Sequence, residues 1–315
     1  MARKKAVVTG GAGFIGSHLC EHLIELGWAV DVVDNLSLSD GSNIKHLEGN
    51  GVKLHVKNVE DLDFMSSIVK GCDGLFHLAA MVSVPLSVER PAECYRTNLT
   101  AFSDLLDVIR SRPVPVVYAS SAAIYGEGTD DGPRRESEVP MPQSPYGASK
   151  AMDELAAAAS SRCYSIPTAG LRFFNVYGPR QNPKGAYASV IPRFATAMLE
   201  GKPATIFGDG EQTRDFIFVK DVARVMVKAA EQSAPSVPSV MNVGSGRRES
   251  VSGVYRILSS MVQNPLPPEF LPERIGDIKH SFADLTKLSA IIDLSSFVGL
   301  EEGIERTLAY YVGAK

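Results

Sequence analysis

Ala6-Val7-Val8-Thr9-Gly10-Gly11-Ala12-Gly13-Phe14-Ile15-Gly16 decides the fold of this chain. An apolar run, a glycine-rich turn and the start of an amphipathic stretch read as strand, tight turn and helix, with the helix expected over Ser17 to Leu26 and ended by Gly27. The glycines fit Gly11-x-Gly13-x-x-Gly16 or, counted from Gly10, Gly-x-x-Gly-x-x-Gly. In either register the missing side chains let a pyrophosphate approach the backbone and rest on the helix N-terminus. A glycine run alone is often only a turn; the strand before it and the helix after it make it a phosphate-binding expectation.

Working outward, Ala29 to Val33 reads as the second strand, and it delivers Asp34 to the same edge. A carboxylate there accepts hydrogen bonds from the adenosine ribose hydroxyls and repels a 2′-phosphate. Asn35-Leu36-Ser37 offers no arginine to receive such a phosphate, so NAD is expected rather than NADP. The pattern continues with strands at Val52 to Val56, Gly74 to Leu78, Val114 to Ala119 and Pro167 to Phe174. Helices are expected through Leu62 to Val69, Glu93 to Ile109 and Tyr146 to Arg162. Strands alternating with helices predict a parallel sheet with right-handed crossovers. Beyond about Asn175 the chain becomes rich in Pro and Gly loops, while Met241-Asn242-Val243-Gly244 reads as a return to the sheet. The expected fold class is therefore α/β: a Rossmann doubly wound parallel sheet with a smaller interleaved α/β C-terminal substrate-binding subdomain. Residues 1–174, with a return segment near 215–248, would form the dinucleotide-binding part and residues 175–315 the substrate part.

The composition bounds the function. With 315 residues, 44% of them apolar and 22% charged, the chain can bury a substantial core. A formal charge of −4 gives no basic face for nucleic acid. Cys20, Cys72, Cys94 and Cys163 are widely spaced, which predicts buried thiols in a reducing compartment and no metal site. The six histidines are scattered and read as structural, including His18 and His22 one helical turn apart. The first apolar run is too short for a leader or a membrane span, so the cytoplasm is the expected location.

The chemistry concentrates at Tyr146-Gly147-Ala148-Ser149-Lys150. On a helix, residues four apart share a face, so an ammonium lies beside a phenol and favours its use as a proton acceptor. Val116-Val117-Tyr118-Ala119-Ser120-Ser121 reads as a buried strand ending in two hydroxyls, and Ser144-Pro145 leads into the Tyr146 helix. Ser121, Tyr146 and Lys150 can thus meet at the carboxyl end of one sheet.

With these residues assembled, the chain resembles the nucleotide-sugar branch of the extended short-chain dehydrogenases/reductases, and more closely the UDP-N-acetylglucosamine 4-epimerases. The resemblance spans essentially the whole chain. It includes His77-Leu78-Ala79-Ala80, Ser83-Val84-Pro85, Asn98, Ala119-Ser120-Ser121-Ala122, Arg172-Phe173-Phe174-Asn175-Val176-Tyr177-Gly178, Gly185 to Pro192, Arg214-Asp215-Phe216 and Arg274-x-Gly276-Asp277. By that resemblance NAD would be held by Gly10, Gly13, Phe14, Ile15, Gly16, Asp34, Asn35, Asn58, Val59, Leu78, Ala79, Ala80, Asn98, Tyr146 and Lys150. Ser121 would hydrogen-bond the sugar 4-hydroxyl, Tyr146 would take its proton and Lys150 would hold the nicotinamide ribose. Substrate would also meet Ser83, Val84, Asn175, Ala188, Val190, Arg214, Arg274, Asp277 and Ser281, with the two arginines clamping the diphosphate. Asn58 departs from the aspartate usual near the adenine, though an amide oxygen can still accept from an amino group. Ala101 replaces a glycine and is expected to tighten helix packing only.

What the resemblance implies is a 4-epimerase interconverting UDP-GlcNAc and UDP-GalNAc through a 4-keto sugar, with some UDP-glucose/UDP-galactose activity. Ser281 leaves room for a 2-acetamido group where relatives specific for the non-acetylated hexoses carry a tyrosine. Other readings are a UDP-glucuronate/galacturonate 4-epimerase, with Arg180 or Arg193 meeting the carboxylate, another nucleotide-sugar enzyme such as a reductase or a 4,6-dehydratase, and a nonenzymatic NAD-sensing protein. Ser121 is followed by Ala122-Ala123 rather than the acidic pair a dehydratase needs. The helices around Glu93 to Ile109 and Ala151 to Arg162 carry apolar residues on more than one face, and in relatives the equivalent pair joins two subunits, so a homodimer is expected.

Overall fold

A computed structural model describes residues 3–128, 131–183, 189–273 and 278–313. The first half alternates as expected: β1 (Lys5–Thr9), α1 (Phe14–Glu25), β2 (Ala29–Asp34), β3 (Val52–Val56), α2 (Leu62–Val69), β4 (Gly74–His77), α3 (Val84–Glu89), α4 (Pro91–Tyr95), α5 (Ala101–Ile109), β5 (Val116–Ser121), α6 (Pro145–Tyr164) and β6 (Thr168–Phe173). The second half consists of shorter strands and five α-helices of varied length. They are β7 (Asn175–Tyr177), α7 (Val190–Leu199), β8 (Thr205–Phe207), β9 (Thr213–Arg214), β10 (Phe216–Phe218), α8 (Val219–Gln232), β11 (Ser239–Val243), β12 (Glu249–Ser250), α9 (Val251–Met261), β13 (Glu269–Leu271), β14 (His280–Ser281), α10 (Thr286–Ser289) and α11 (Leu300–Gly313).

Seven strands form a parallel sheet in the order β11-β6-β5-β4-β1-β2-β3. The winding reverses between β1 and β4, and at such a reversal the crossover loops part and leave a crevice beyond the strand ends. Both faces of the sheet are covered, which is why its strands read as nearly continuous apolar runs. Alternate residues divide between the two faces. Ala6, Val8, Val32, Phe76 and Val117 pack with Leu19 and Leu23 of α1 and Val222 and Met226 of α8. Val7, Val33, Leu75, Val116 and Tyr118 pack with Met65 of α2, Phe102 and Leu105 of α5 and Ala157 of α6. A third cluster joins Tyr177, Phe194, Phe216, Phe218, Val254 and Ile304 beneath the second half of the chain. The chain leaves this cluster through α8, which packs on the sheet, adds β11 to the sheet edge beside β6, and then returns to it.

Local departures from the sequence expectation have simple causes. The first helix starts at Phe14, three residues before Ser17, because extended Gly13 is already its N-cap. The helix expected across Glu93 to Ile109 is interrupted by a π turn at Arg96–Thr100, and Asn98 lies in that turn. Cys163 is exposed while Cys20, Cys72 and Cys94 are buried, so the expectation of four buried thiols fails at the end of α6. On the outer side of that helix Met152 and Leu155 are exposed. No helix among the described residues is long and apolar enough to cross a membrane.

Candidate active site

The glycine turn is shaped by close approach. Gly10 has φ +69°, and a Cβ there would lie 2.7 Å from the Ala79 nitrogen; one on Gly16 would lie 2.3 Å from the Gly10 oxygen. These two glycines let β1, the turn and α1 pack against the loop after β4. Gly13 differs, since an added Cβ would meet only the Gly10 oxygen, at 3.2 Å. Its helix has no side-chain cap, so the first-turn N–H groups at Phe14, Ile15 and Gly16 are open to an anion. Asp34 ends β2 with its carboxylate held by the backbone N–H of Ala12 at 3.0 Å and of Leu36 at 2.9 Å. That carboxylate thereby ties the glycine turn to the loop expected to meet adenosine. Asn35 is exposed beside it, and its side chain accepts from the Ser37 nitrogen. Asn58 is exposed after β3, with Val59 buried behind it.

Leu78 and Ala79 follow β4, and their nitrogens donate to the Thr9 hydroxyl at 3.2 and 3.3 Å; Ala80 comes next, also half-buried. Thr9 also bonds His77 Nδ1 at 2.8 Å. Burial, with the Lys150 charge adding to it, brings the His77 imidazole down to about 3. Asn98 is fully buried and spends its amide on the loop. It accepts from the Met81 nitrogen at 2.7 Å and donates to the Met81 oxygen and the Ser149 hydroxyl. Its contribution to the crevice is to fix the 78–81 loop against α6.

α6 begins with Ser144 as N-cap, accepting from the Gly147 nitrogen at 3.1 Å, and Pro145 in the first turn, as Ser-Pro there implies. Ser87 of α3 accepts from the Tyr146 nitrogen at 3.1 Å and fixes the height of this helix. Tyr146 is half-buried, and one turn further on Lys150 is buried, with its ammonium 3.2 Å from Asp153. At the end of β5, Ser121 caps a short 3₁₀ turn by accepting from the Ala123 nitrogen at 3.1 Å. β5 and α6 thus bring Ser121, Tyr146 and Lys150 to the carboxyl edge of the sheet.

Ser83 caps α3, accepting from the Leu86 nitrogen, and Val84 beside it is exposed. Asn175 begins β7, and Val190 begins α7. Arg214 and Ser281 are register partners on β9 and β14, and Glu249 of β12 pairs with Arg214 on its other side. Two residues 67 positions apart in sequence are therefore neighbours on one small sheet. Asp215 anchors that corner from behind, fully buried, accepting from the Ser245, Gly246 and Ala283 nitrogens. Ala188, Arg274 and Asp277 lie outside the described residues.

The sequence reading passed over a buried polar chain behind the site. Glu154, one turn beyond Lys150, takes both Nε and Nη2 of Arg172, at 2.9 and 2.7 Å, and accepts from Ser120 at 2.5 Å. Arg172 also donates to Tyr125, whose hydroxyl donates to Asn242 of β11. Asn242 in turn donates to the Arg134 and Asp284 carbonyls, close to Ser281. The i+8 spacing of Tyr146 and Glu154 on one helix was the available signal. Arg180, considered above for a carboxylate, is committed elsewhere: it donates to Glu21 at 2.6 Å, to His18 Nδ1 at 2.8 Å and to the Asn43 carbonyl. The guanidinium only donates, so His18 Nδ1 accepts and its Nε2–H donates to Pro179. Burial, reinforced by Arg180, brings that imidazole down to about 4.

A doubly wound sheet with a glycine turn, a carboxylate at the end of the second strand and a Tyr-x-x-x-Lys helix at one edge defines a dinucleotide-dependent enzyme of the short-chain dehydrogenase/reductase type. Residues 6–244 match the NAD dependent epimerase/dehydratase family, and the chain belongs to it. The structure is similar to that of a UDP-N-acetylglucosamine 4-epimerase from Methanobrevibacter ruminantium in complex with UDP-N-acetylmuramic acid, with a TM-score of 0.93, 37% identity and full coverage of both chains. In sequence the chain is 33% identical to a UDP-glucose 4-epimerase of Mycolicibacterium smegmatis and 30% identical to a UDP-N-acetyl-alpha-D-glucosaminuronate decarboxylase of Bacillus cytotoxicus. Each alignment covers 98% of both chains. NAD is its cofactor, and the residues present fit it: Gly13 leaves the space a diphosphate needs, and Asp34 is fixed where a ribose would meet it.

Proposed function

We propose that this enzyme is a UDP-sugar 4-epimerase acting on UDP-GlcNAc and UDP-GalNAc, and on UDP-glucose and UDP-galactose as well. What supports the reading is that β5 ends at Ser121 and α6 carries Tyr146 and Lys150 one turn apart on its first turns, with Arg214 and Ser281 paired on a small sheet. NAD, when bound, supplies the group that accepts and returns the hydrogen of sugar C4. Tyr146 removes the 4-hydroxyl proton and restores it, Lys150 supplies the nearby positive charge, and Ser121 orients the hydroxyl. Arg214 holds the diphosphate as a charge-assisted donor. Binding energy placed on the nonreacting nucleotide leaves the 4-keto ring free to turn over and accept the hydrogen on its other face. Ser281, half-buried and paired with Arg214, is a small side chain that would leave room for a 2-acetamido group, which supports the acetylated substrates. For a uronate substrate, Arg180 is the less favoured partner because it is occupied by Glu21 and His18, which leaves that reading to Arg193.

The test is incubation with UDP-GlcNAc and chiral sugar analysis of the product. UDP-GalNAc is expected, and Tyr146→Phe should lower turnover by about 10²–10⁴-fold while NAD still binds. A variant that turns over at nearly the parent rate would remove the proton-transfer role.

A further inference from the structure

The stripe of α6 that carries Tyr146 and Lys150 continues into two consecutive buried carboxylates, Asp153 and Glu154, of which Asp153 is 1% exposed. They are provided for very differently. Glu154 is saturated by Arg172 and Ser120. Asp153 has Oδ2 at 3.2 Å from the Lys150 ammonium, and its other oxygen is buried with no hydrogen-bond partner. A purely structural buried ion pair is stable only when its remaining lone pairs are satisfied. Here the carboxylate is left half-satisfied, one helical turn from the reacting pair.

We propose that Asp153 is a positioning residue: its carboxylate holds the Lys150 ammonium in place, and its charge sets the pH range in which Tyr146 and Lys150 work together. The proposal rests on the proton-transfer role given to Tyr146 above. The charged and titratable groups around the pair come from several elements. Tyr146 and Glu154 share its helix, and His77 of β4 and Cys94 of α4 feel the Lys150 charge. Tyr118 of β5 feels both carboxylates and Arg172 of β6. Glu154 is tied to Arg172, and His77 is held neutral at physiological pH, which leaves Asp153 as the negative charge in contact with the ammonium. Burial pushes the Asp153 carboxyl up to about 6 against the opposing pull of Lys150, so this charge is lost within an accessible pH range.

Removing a negative charge makes nearby acids ionise at lower pH, whether the acid is a phenol or an ammonium. In Asp153→Asn, both limbs of the kcat profile for epimerisation should therefore move to lower pH by about one unit. In the enzyme without nucleotide, the ultraviolet phenolate signal of Tyr146, isolated by subtracting the same variant carrying Tyr146→Phe, should appear at correspondingly lower pH. Asp153→Ala serves if the amide variant does not fold, with the same expected direction. Profiles that superimpose on the parent while only the melting temperature falls would overturn the proposal, as would failure of both variants to fold, which would assign Asp153 to the fold alone. Activity surviving in Tyr146→Phe defeats the underlying reading; an inactive Tyr146→Phe beside an unmoved Asp153→Asn profile defeats this inference only.

Discussion

The two sides of the crevice are built in different ways. On the side proposed to meet the cofactor, the glycine turn, Asp34, Thr9 and Asn98 lie in the first hundred residues and are fixed by buried and half-buried hydrogen bonds to backbone. On the side proposed to meet the substrate, Arg214, Glu249 and Ser281 come from the two-residue strands β9, β12 and β14 and remain partly open. A dinucleotide is the same in every turnover and suits a rigid cradle, whereas a hexose that turns over between two faces, as proposed, would suit an open wall. Behind both runs the polar chain from Ser120 through Glu154, Arg172 and Tyr125 to Asn242, which ties β5, α6, β6 and β11 together.

Breaking that chain should produce the largest effect. Glu154→Gln leaves the buried Arg172 without its counter-charge, and unfolding by denaturant should show a loss of about 3–5 kcal/mol; a loss below about 1 kcal/mol would mean that the pair contributes little to the fold. Gly16→Ala tests the rigid side, because its Cβ meets backbone atoms of Gly10 and Gly11 rather than a flexible side chain. A cost of about 1–3 kcal/mol with weakened NAD binding is expected by calorimetry, and normal affinity at normal stability would show the cradle to be yielding.

Acid should act next. His18 and His77 are held neutral by burial, with folded values of about 4 and about 3. The unfolded chain takes up their protons below its own value of about 6.5, so each contributes stability that is present above that pH. Each contribution is lost at about 1.4 kcal/mol per pH unit as pH falls toward the folded value. Asp153 works in the opposite sense between about 6 and the ordinary aspartate range, since its folded carboxyl is raised. The comparison is therefore between the parent and His18→Asn, whose stability should fall less steeply between pH 6.5 and 5; parallel slopes would deny His18 this role. On the open side, Ser281→Tyr should be thermally quiet. It should lower the ratio of acetylated to non-acetylated turnover by about tenfold, which is about 1.4 kcal/mol of discrimination. An unchanged ratio would separate Ser281 from the sugar pocket.

The contrast also explains what could be read from the chain. β1, β2, β3 and α2 lie within a residue of their expected limits because period, flanking turns and burial agree there. The π turn at Arg96–Thr100 could not be read, since the break sits where Asn98 meets Met81 and Ser149, distant in sequence. Nor could β9, β12 and β14, whose two-residue lengths carry no periodic signal.

The strand–helix alternation of the first half, the glycine turn, Asp34 and the Tyr146–Lys150 helix were determined by the sequence alone, because each is a local pattern with its own chemical logic. Pairing Ser281 with Arg214, committing Arg180 to His18 and Glu21, and giving Lys150 and Arg172 separate carboxylate partners were decided only in the tertiary structure. Those contacts join residues from different strands and helices, or depend on which way a buried side chain turns, and burial makes the choice of partner energetically decisive.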